Sequence, residues 1–449
     1  MVKDMTRGNP TKLLLSFSIP LLIGNIFQQL YGMVDTIIVG RGIGVNALAA
    51  VGSTGSINFL ILGFVIGLAQ GFAIMVSHAF GANDYKKMRK IYTMSIYLSL
   101  LIGILISMLS VLGAYDLLRI MNTPNNIINQ ATHYIQIIFG GMIITIFFNL
   151  FSSILRALGD SKTPLYAMIA ATVVNIVLDI VFVIGFKMGV EGAAWATLIA
   201  QLCAMLFCFF MIKKIDFIQP NKSDWVFHKQ ISFDLIKLGL PVACMNSVTA
   251  SGVMILQLMV NGFGSTYVAA YSAASRIMMV IEQPGVTFGF AMAAYIGQNL
   301  GANRIDRIRD GIHKCIRLSL ILYAFITLIL IVFGKDFISI IVSSSETKVI
   351  SIAYEYIFIT SLFLWVLSLL FIYRSSLQGM GDTFIPMISG IVELVCRILV
   401  ALCIPTLLGF KGIAFAEAGA WIGAELLLMI AFYYKLNKKE SNHEVGLPD

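Results

Sequence analysis

Apolar residues run along this chain in twelve long stretches separated by short polar intervals. The stretches cover about 13–39, 47–79, 91–113, 130–155, 164–186, 190–212, 234–261, 266–299, 315–334, 350–373, 385–408 and 411–434. Each exceeds the roughly 20 residues a helix needs to cross hydrocarbon, so the pattern predicts an all-α membrane protein of twelve transmembrane helices. The first stretch follows Lys3, Arg7 and Lys12, as a signal peptide would. It extends to Val39, however, carries Gln28, Gln29 and Asp35, and has no small-residue cleavage site, so it predicts a first span. The longest polar interval sits midway. It predicts a cytoplasmic linker at 213–233 between an N-terminal six-helix lobe, 1–212, and a C-terminal six-helix lobe, 234–449.

The polar punctuation repeats. Gly81-Ala82-Asn83 with Arg89 recurs as Gly301-Ala302-Asn303 with Arg309, and Pro20 recurs as Pro241. Gly63 and Gly67 recur as Gly285 and Gly289, and Gly159-Asp160 with Pro164 as Gly381-Asp382 with Pro386. Gly189, Gly192, Ala194 and Ala196 recur as Gly409, Gly412, Ala414 and Ala416. A nearly constant offset of about 220 residues from first span to last is duplication of a whole domain rather than a short solenoid repeat. Six spans per copy is an even number, so both copies enter the bilayer from the same side. The repeats are therefore parallel, about an axis along the membrane normal, a plan found in transporters.

Composition narrows the class. Hydrophobic residues make up 58% of the chain and charged residues 12%, against roughly 45–50% and 25% in soluble domains. A mean hydropathy of +0.89 leaves no stretch for a separate soluble enzyme domain. The net charge of +8 could suggest nucleic acid, but most of the 31 Lys and Arg fall at the N-terminus, the even-numbered loops and the C-terminus. That asymmetry is a topology signal and predicts both termini on the cytoplasmic side of the plasma membrane. The six cysteines form no CxxC pair and read as small core residues.

Polar groups inside the spans carry the chemistry. Asp35 in span 1, Asp179 in span 5 and Thr197 in span 6 all lie roughly 7–11 Å below the outer ends of their helices. Asn175 stands one turn from Asp179 on the same face. Gln28, in the polar stretch of span 1, and Gln201, a turn below Thr197, are candidate accessory ligands. Two carboxylates, an amide and a hydroxyl at one level suit a coupling cation: Na⁺ on hard oxygens, or a proton shared by a carboxylate pair. The alternative is that they only hold the bundle together by interhelical hydrogen bonds; the cost of carboxylates in a span favours function. The second half lacks this set, with Leu256, Arg397, Ala401 and Glu417 at the matching positions. It carries instead a charge network of Arg276, Glu282, Glu393, Arg397, Glu417 and Glu425, in which Arg397 is expected to pair with Glu393 or Glu425. A structural and a transport role for that network stand level. Pro20 and Pro241, in the first turns of spans 1 and 7, are candidate hinges or simple helix starts. Gly63, Gly67 and Gly71 read as a close-packing face. No Gly-xxxx-Gly-Lys-Ser/Thr is present, and no intramembrane histidine, so neither a built-in ATPase nor a hydrolytic site is visible.

Asp35 within Gln28-Gln29-Leu30-Tyr31-Gly32-Met33-Val34-Asp35-Thr36, the run Gly-Gln-Asn-Leu-Gly-Ala-Asn at 297–303, Arg156-Ala157-Leu158-Gly159-Asp160 and the run ending at Thr197 resemble the multidrug and toxic compound extrusion (MATE) family. The resemblance covers essentially the whole chain. It implies a V-shaped pair of six-helix lobes that export organic compounds in exchange for Na⁺ or H⁺, without another cofactor. In the DinF-like branch the coupling ion is held in the N-lobe, and Asp35, Asn175, Asp179 and Thr197 match that pattern. Other branches place acids in spans 7 and 10; this chain has Gln257 in span 7 and no mid-span acid in span 10. Acids outnumber bases inside the spans, which favours cationic or neutral amphiphilic cargo over the anionic headgroup of the alternative, a lipid-precursor flippase of the same superfamily. The expected partners are small organic molecules and the bilayer, not nucleic acid, and a monomer is expected.

Overall fold

The computed structural model describes residues 2–343 and 345–445. Among these the chain is helical throughout, without strands. The first half contains α1 (Pro10–Gly42), α2 (Val45–Gly81), α3 (Tyr85–Ile120), α4 (Ile128–Gly140), α5 (Met142–Ala157), α6 (Lys162–Asp179) and α7 (Gly189–Lys213). The second contains α8 (Lys229–Asn261), α9 (Ser265–Ile281), α10 (Gln283–Gly301), α11 (Ile305–Ile341), α12 (Thr347–Ser361), α13 (Leu364–Gly379), α14 (Phe384–Cys403), α15 (Pro405–Leu408) and α16 (Lys411–Val445). Among the described residues ten stretches are long and apolar enough to span a membrane, and α4–α5 and α12–α13, bent by 47° and 51°, bring the number to twelve when each pair is one span. Twelve is the number the apolar pattern predicts.

Packing divides the chain into two units, one of Met1–Asp4 with Ile19–Ala243 and one of Met5–Ser18 with Cys244–Asp449. The divisions fall inside α1 and α8, whereas the polar interval at 213–233 belongs wholly to the first unit. There the Arg89 guanidinium donates to Asp224 at 3.0 Å, Thr93 Oγ1 to the Asp224 carbonyl at 2.7 Å and the Tyr97 hydroxyl to the Trp225 carbonyl at 3.0 Å. Burial alone would raise the Asp224 carboxyl, but the Asn221 backbone N–H and the Arg89 guanidinium outweigh it and hold the group below its ordinary value. Arg309, the repeat partner of Arg89, likewise ties down the end of its own unit, donating to Glu440 at 2.7 and 2.6 Å.

The repeated motifs are helix junctions. Gly159 and Gly381 adopt φ of 79° and 83°, a left-handed conformation that suits glycine at a helix end. The next residue, Asp160 or Asp382, then bonds back by its N–H to Leu155 or Leu377. Their carboxylates accept the first N–H groups of α6 and α14, from Thr163 at 3.0 Å and Phe384 at 3.0 Å. Pro164 and Pro386 follow in the first turn, where a missing N–H costs nothing. Asn83 and Asn303 share the left-handed conformation at φ 55° and 57°, one that asparagine tolerates better than most residues. The repeat is therefore a set of chain reversals.

One sequence expectation changes. Pro20 and Pro241 do not open their helices: α1 begins at Pro10 and α8 at Lys229, so both prolines lie about three turns inside. Each stands within three residues of the place where its helix passes from one packing unit to the other. The glycine stripe is a packing face, as read: a Cβ on Gly71 would come within 2.3 Å of the Gly239 Cα.

Candidate cation site and ion-pair chain

In the first unit α6 turns Asn175 and Asp179 inward, one turn apart, and both are fully buried. The helix then widens into a π-helical turn at Ile180–Gly185, marked by the Phe186 N–H bonding back to Val181 at 2.8 Å. Such turns are rare and recur at functional sites. Asp35 on α1 is buried, and its carboxyl adjoins that of Asp179. Thr197 lies on the buried face of α7, which packs along α6. Asp35 Oδ1, both Asp179 oxygens and the Asn175 amide oxygen and nitrogen have no hydrogen-bonding donor or acceptor from the protein. Buried polar atoms are nearly always partnered. A group of acceptors left open together, with two acids side by side, has the donor chemistry of a hard-cation site.

The accessory residues separate. Gln201 accepts a hydrogen bond from the Thr145 hydroxyl and so clasps α7 to α5, while Gln28 is exposed. Asn58 on α2 was not singled out by sequence; its Oδ1 is buried and also open. A lone asparagine in an apolar helix was the only signal for it.

In the second unit the positions matching Asn175 and Thr197 are Arg397 and Glu417, and they are bonded to each other. Arg397 Nη2 donates to Glu417 Oε2 at 2.9 Å and to Glu393 Oε1 at 3.0 Å, and Arg374 Nη2 donates to Glu393 Oε2 at 2.8 Å. All four side chains are buried, and the chain of two guanidinium and two carboxylate groups is neutral overall. Arg397 Nη1 points toward Gly252 on α8, where a Cβ would stand only 2.3 Å from it. The missing side chain at position 252 makes room for the charge.

This corrects the expected network. Arg397 pairs with Glu393 as expected, but its other partner is Glu417, two turns from Glu425 along α16. Glu425 is buried without an ion pair among the described residues. Arg276 is exposed and unpaired among them, and Glu282 forms the joint between α9 and α10. At that joint the Tyr323 hydroxyl accepts the Gly285 N–H at 2.9 Å and lies 3.2 Å from the Ile281 carbonyl, closing the break that Pro284 opens. Arg374 was missed because span 10 was expected to end at residue 373; α13 continues to Gly379 and buries it.

Comparison with known proteins identifies the family. The sequence model of the MatE family matches twice, over residues 20–181 and 241–403, one match for each repeat. Probable multidrug resistance protein YoeA of Bacillus subtilis is 30% identical over 346 residues, covering 75% of this chain and 74% of that one. Probable multidrug resistance protein NorM of Thermotoga maritima is 25% identical, covering 92% and 88%. Among solved structures, a MOP superfamily transporter from Pyrococcus furiosus superposes with a TM-score of 0.91 at 24% identity, covering 97% of this chain and 98% of that one. A MATE crystal structure in the bent conformation gives 0.90 at 23% identity over 98% of each chain. Matched by the family over both of its repeats, this protein belongs to the MatE family of membrane transporters.

Proposed function

We propose that this chain is a secondary multidrug exporter of the DinF-like branch, antiporting cationic or neutral amphiphilic organic compounds against Na⁺ or H⁺ by alternating access. The observation that carries the reading is the cluster of buried, unpartnered acceptors on Asp35, Asn175 and Asp179. Asp35 and Asp179 cannot both stay ionised at low cost once a cation leaves, because neighbouring carboxylates in a desolvated site repel. Arrival of Na⁺ or a proton removes the negative charge that holds a lipophilic cation, so the two ligands exclude each other. Exchange then follows from binding each better in the opposite state. A membrane potential of ~100 mV supplies ~2.3 kcal/mol per cation, a concentration ratio of roughly fifty-fold for a neutral substrate. The names of the relatives YoeA and NorM agree with drug export.

Pro20 and Pro241 serve this reading as hinges, since each lies inside a helix at its passage between packing units. On this reading the protein sits in the plasma membrane, and the positive-inside rule supports a cytoplasmic N-terminus and 213–233 interval. The test is efflux of ethidium from proteoliposomes under an imposed Na⁺ gradient and, separately, a pH gradient. Efflux driven by one of them is expected. Failure of both, or equal transport of an anionic amphiphile, overturns the reading.

A further inference from the structure

The bend between α4 and α5 opens a groove on the side of α7 away from the cation site. Thr197 and Gln201 lie on one face of α7; Trp195, Leu198, Ile199 and Leu202 follow helical spacing on the other and line a cavity of about 780 Å³. That volume is within the range of built small-molecule sites. The opposite wall runs from His133 on α4 to Ile144 on α5. Two glycines at the bend divide the work. A Cβ on Gly141 would strike the Leu198 side chain at 2.3 Å, so this glycine lets the helices close, whereas one on Gly140 would meet nothing within 4 Å and face the cavity.

We propose that this groove binds one zwitterionic aminophospholipid, of the ethanolamine headgroup type, with an acyl chain along α7. The twelve residues from Glu191 to Leu202, and the twelve from His133 to Ile144, each span about 16 Å of helix. One leaflet of hydrocarbon is about 15 Å deep. The polar and charged groups gather at one end. His133 Nδ1 lies 3.0 Å from Glu191 Oε1, with side chains 61% and 49% exposed, a weakly held pair that can exchange partners at little cost. A headgroup bearing both an ammonium and a phosphate complements it: the ammonium donates to Glu191 and the phosphate accepts from His133. One turn deeper, the half-exposed indole of Trp195 offers an N–H at the depth of the glycerol esters. Below it the lining is apolar.

The test measures melting of the purified full-length protein in detergent with added dioleoyl phosphatidylethanolamine, dioleoyl phosphatidylcholine or ethidium. The first two share their chains, and only the first has ammonium N–H donors. Phosphatidylethanolamine is expected to raise the melting temperature more than phosphatidylcholine does, and Gly140→Phe, which fills the groove from its open side, erases the difference. Glu191→Gln on the exposed rim erases it too, and carries the result if the phenylalanine variant fails to fold. Equal shifts from both lipids, or an ethanolamine-specific shift that survives these substitutions, overturn the proposal. A shift by ethidium alone, lost in the same variants, assigns the groove to cationic amphiphiles and overturns it as well.

Discussion

The two units share their turns, their bends and most of their helices, yet at one level they are opposites. Where the first unit has Asp35, Asn175, Asp179 and Thr197, the second has Leu256, Arg397, Ala401 and Glu417. The first leaves buried acceptors open; the second supplies a cation from its own chain and bonds it to Glu417 and Glu393. A guanidinium fixed by covalent attachment cannot be exchanged, so the same scaffold gives in one unit a place for a mobile ion and in the other a permanent internal pair. Relative to the first unit, the second lacks the carboxylates at positions 256 and 401 and gains an arginine at 397 and a glutamate at 417.

The largest effect is expected from Asp179→Asn. Gradient-driven accumulation in proteoliposomes should fall to the passive level, losing a ratio of up to roughly fifty-fold at ~100 mV, while the helices and melting temperature persist. Normal accumulation at equal protein levels would remove Asp179 from the mechanism and dissolve the contrast between units. Its converse sharpens the contrast: Asn175→Arg gives the first unit the second unit's internal cation, next to two acids able to receive it. That variant should fold and yet be transport-dead and insensitive to Na⁺ in melting. Persistent Na⁺ dependence would show that the ion binds elsewhere.

Arg397→Ala comes next. Removing one partner of a buried pair costs about 3–5 kcal/mol because the remaining charges are stranded, so yield and melting temperature should drop. Adding Glu393→Gln or Glu417→Gln should recover part of the loss. If Arg397→Ala is fully stable but does not transport, the internal pair belongs to the transport path and the two units differ less than their chemistry indicates. Gly252→Ala should act in the same direction more weakly, about 1–3 kcal/mol, since its new methyl group forces the Arg397 guanidinium to move.

Much of this was legible in the sequence because it is written in turns and in apolar length. Gly159-Asp160 and Gly381-Asp382 recur because a left-handed residue followed by a capping carboxylate is what a tight helix junction requires. Asp35, Asn175 and Asp179 stood out because polar groups in a span are costly. The bends and the pairings between helices were not legible. Gly140-Gly141 sits within a continuous apolar run, and nothing in Ile180-Val181-Phe182-Val183-Ile184 announces a π-helical turn. Choosing Glu417 over Glu425 as the partner of Arg397 needs the rotation of α16 to within a turn, and finding Arg374 needs a span boundary to within a few residues. Composition fixes neither.

The smallest expected effect lies outside the spans, where the units solve one problem with the same charges on different partners. Arg89 holds the segment after α7 through Asp224, and Arg309 holds the end of α16 through Glu440. Asp224 has its carboxyl depressed in the folded chain. Its contribution is therefore present above the unfolded value of about 3.9 and is lost as pH falls through the lower folded value. Arg89→Gln should lower the melting temperature slightly at neutral pH and remove part of the acid-side decline, leaving the difference from the unaltered chain smaller at pH 3 than at pH 7. A difference that stays constant with pH would mean that Arg89 acts through packing of its stem rather than through the charge of Asp224. The fastening at Arg309, half-exposed and bidentate, should be more sensitive to salt than the buried one at Asp224.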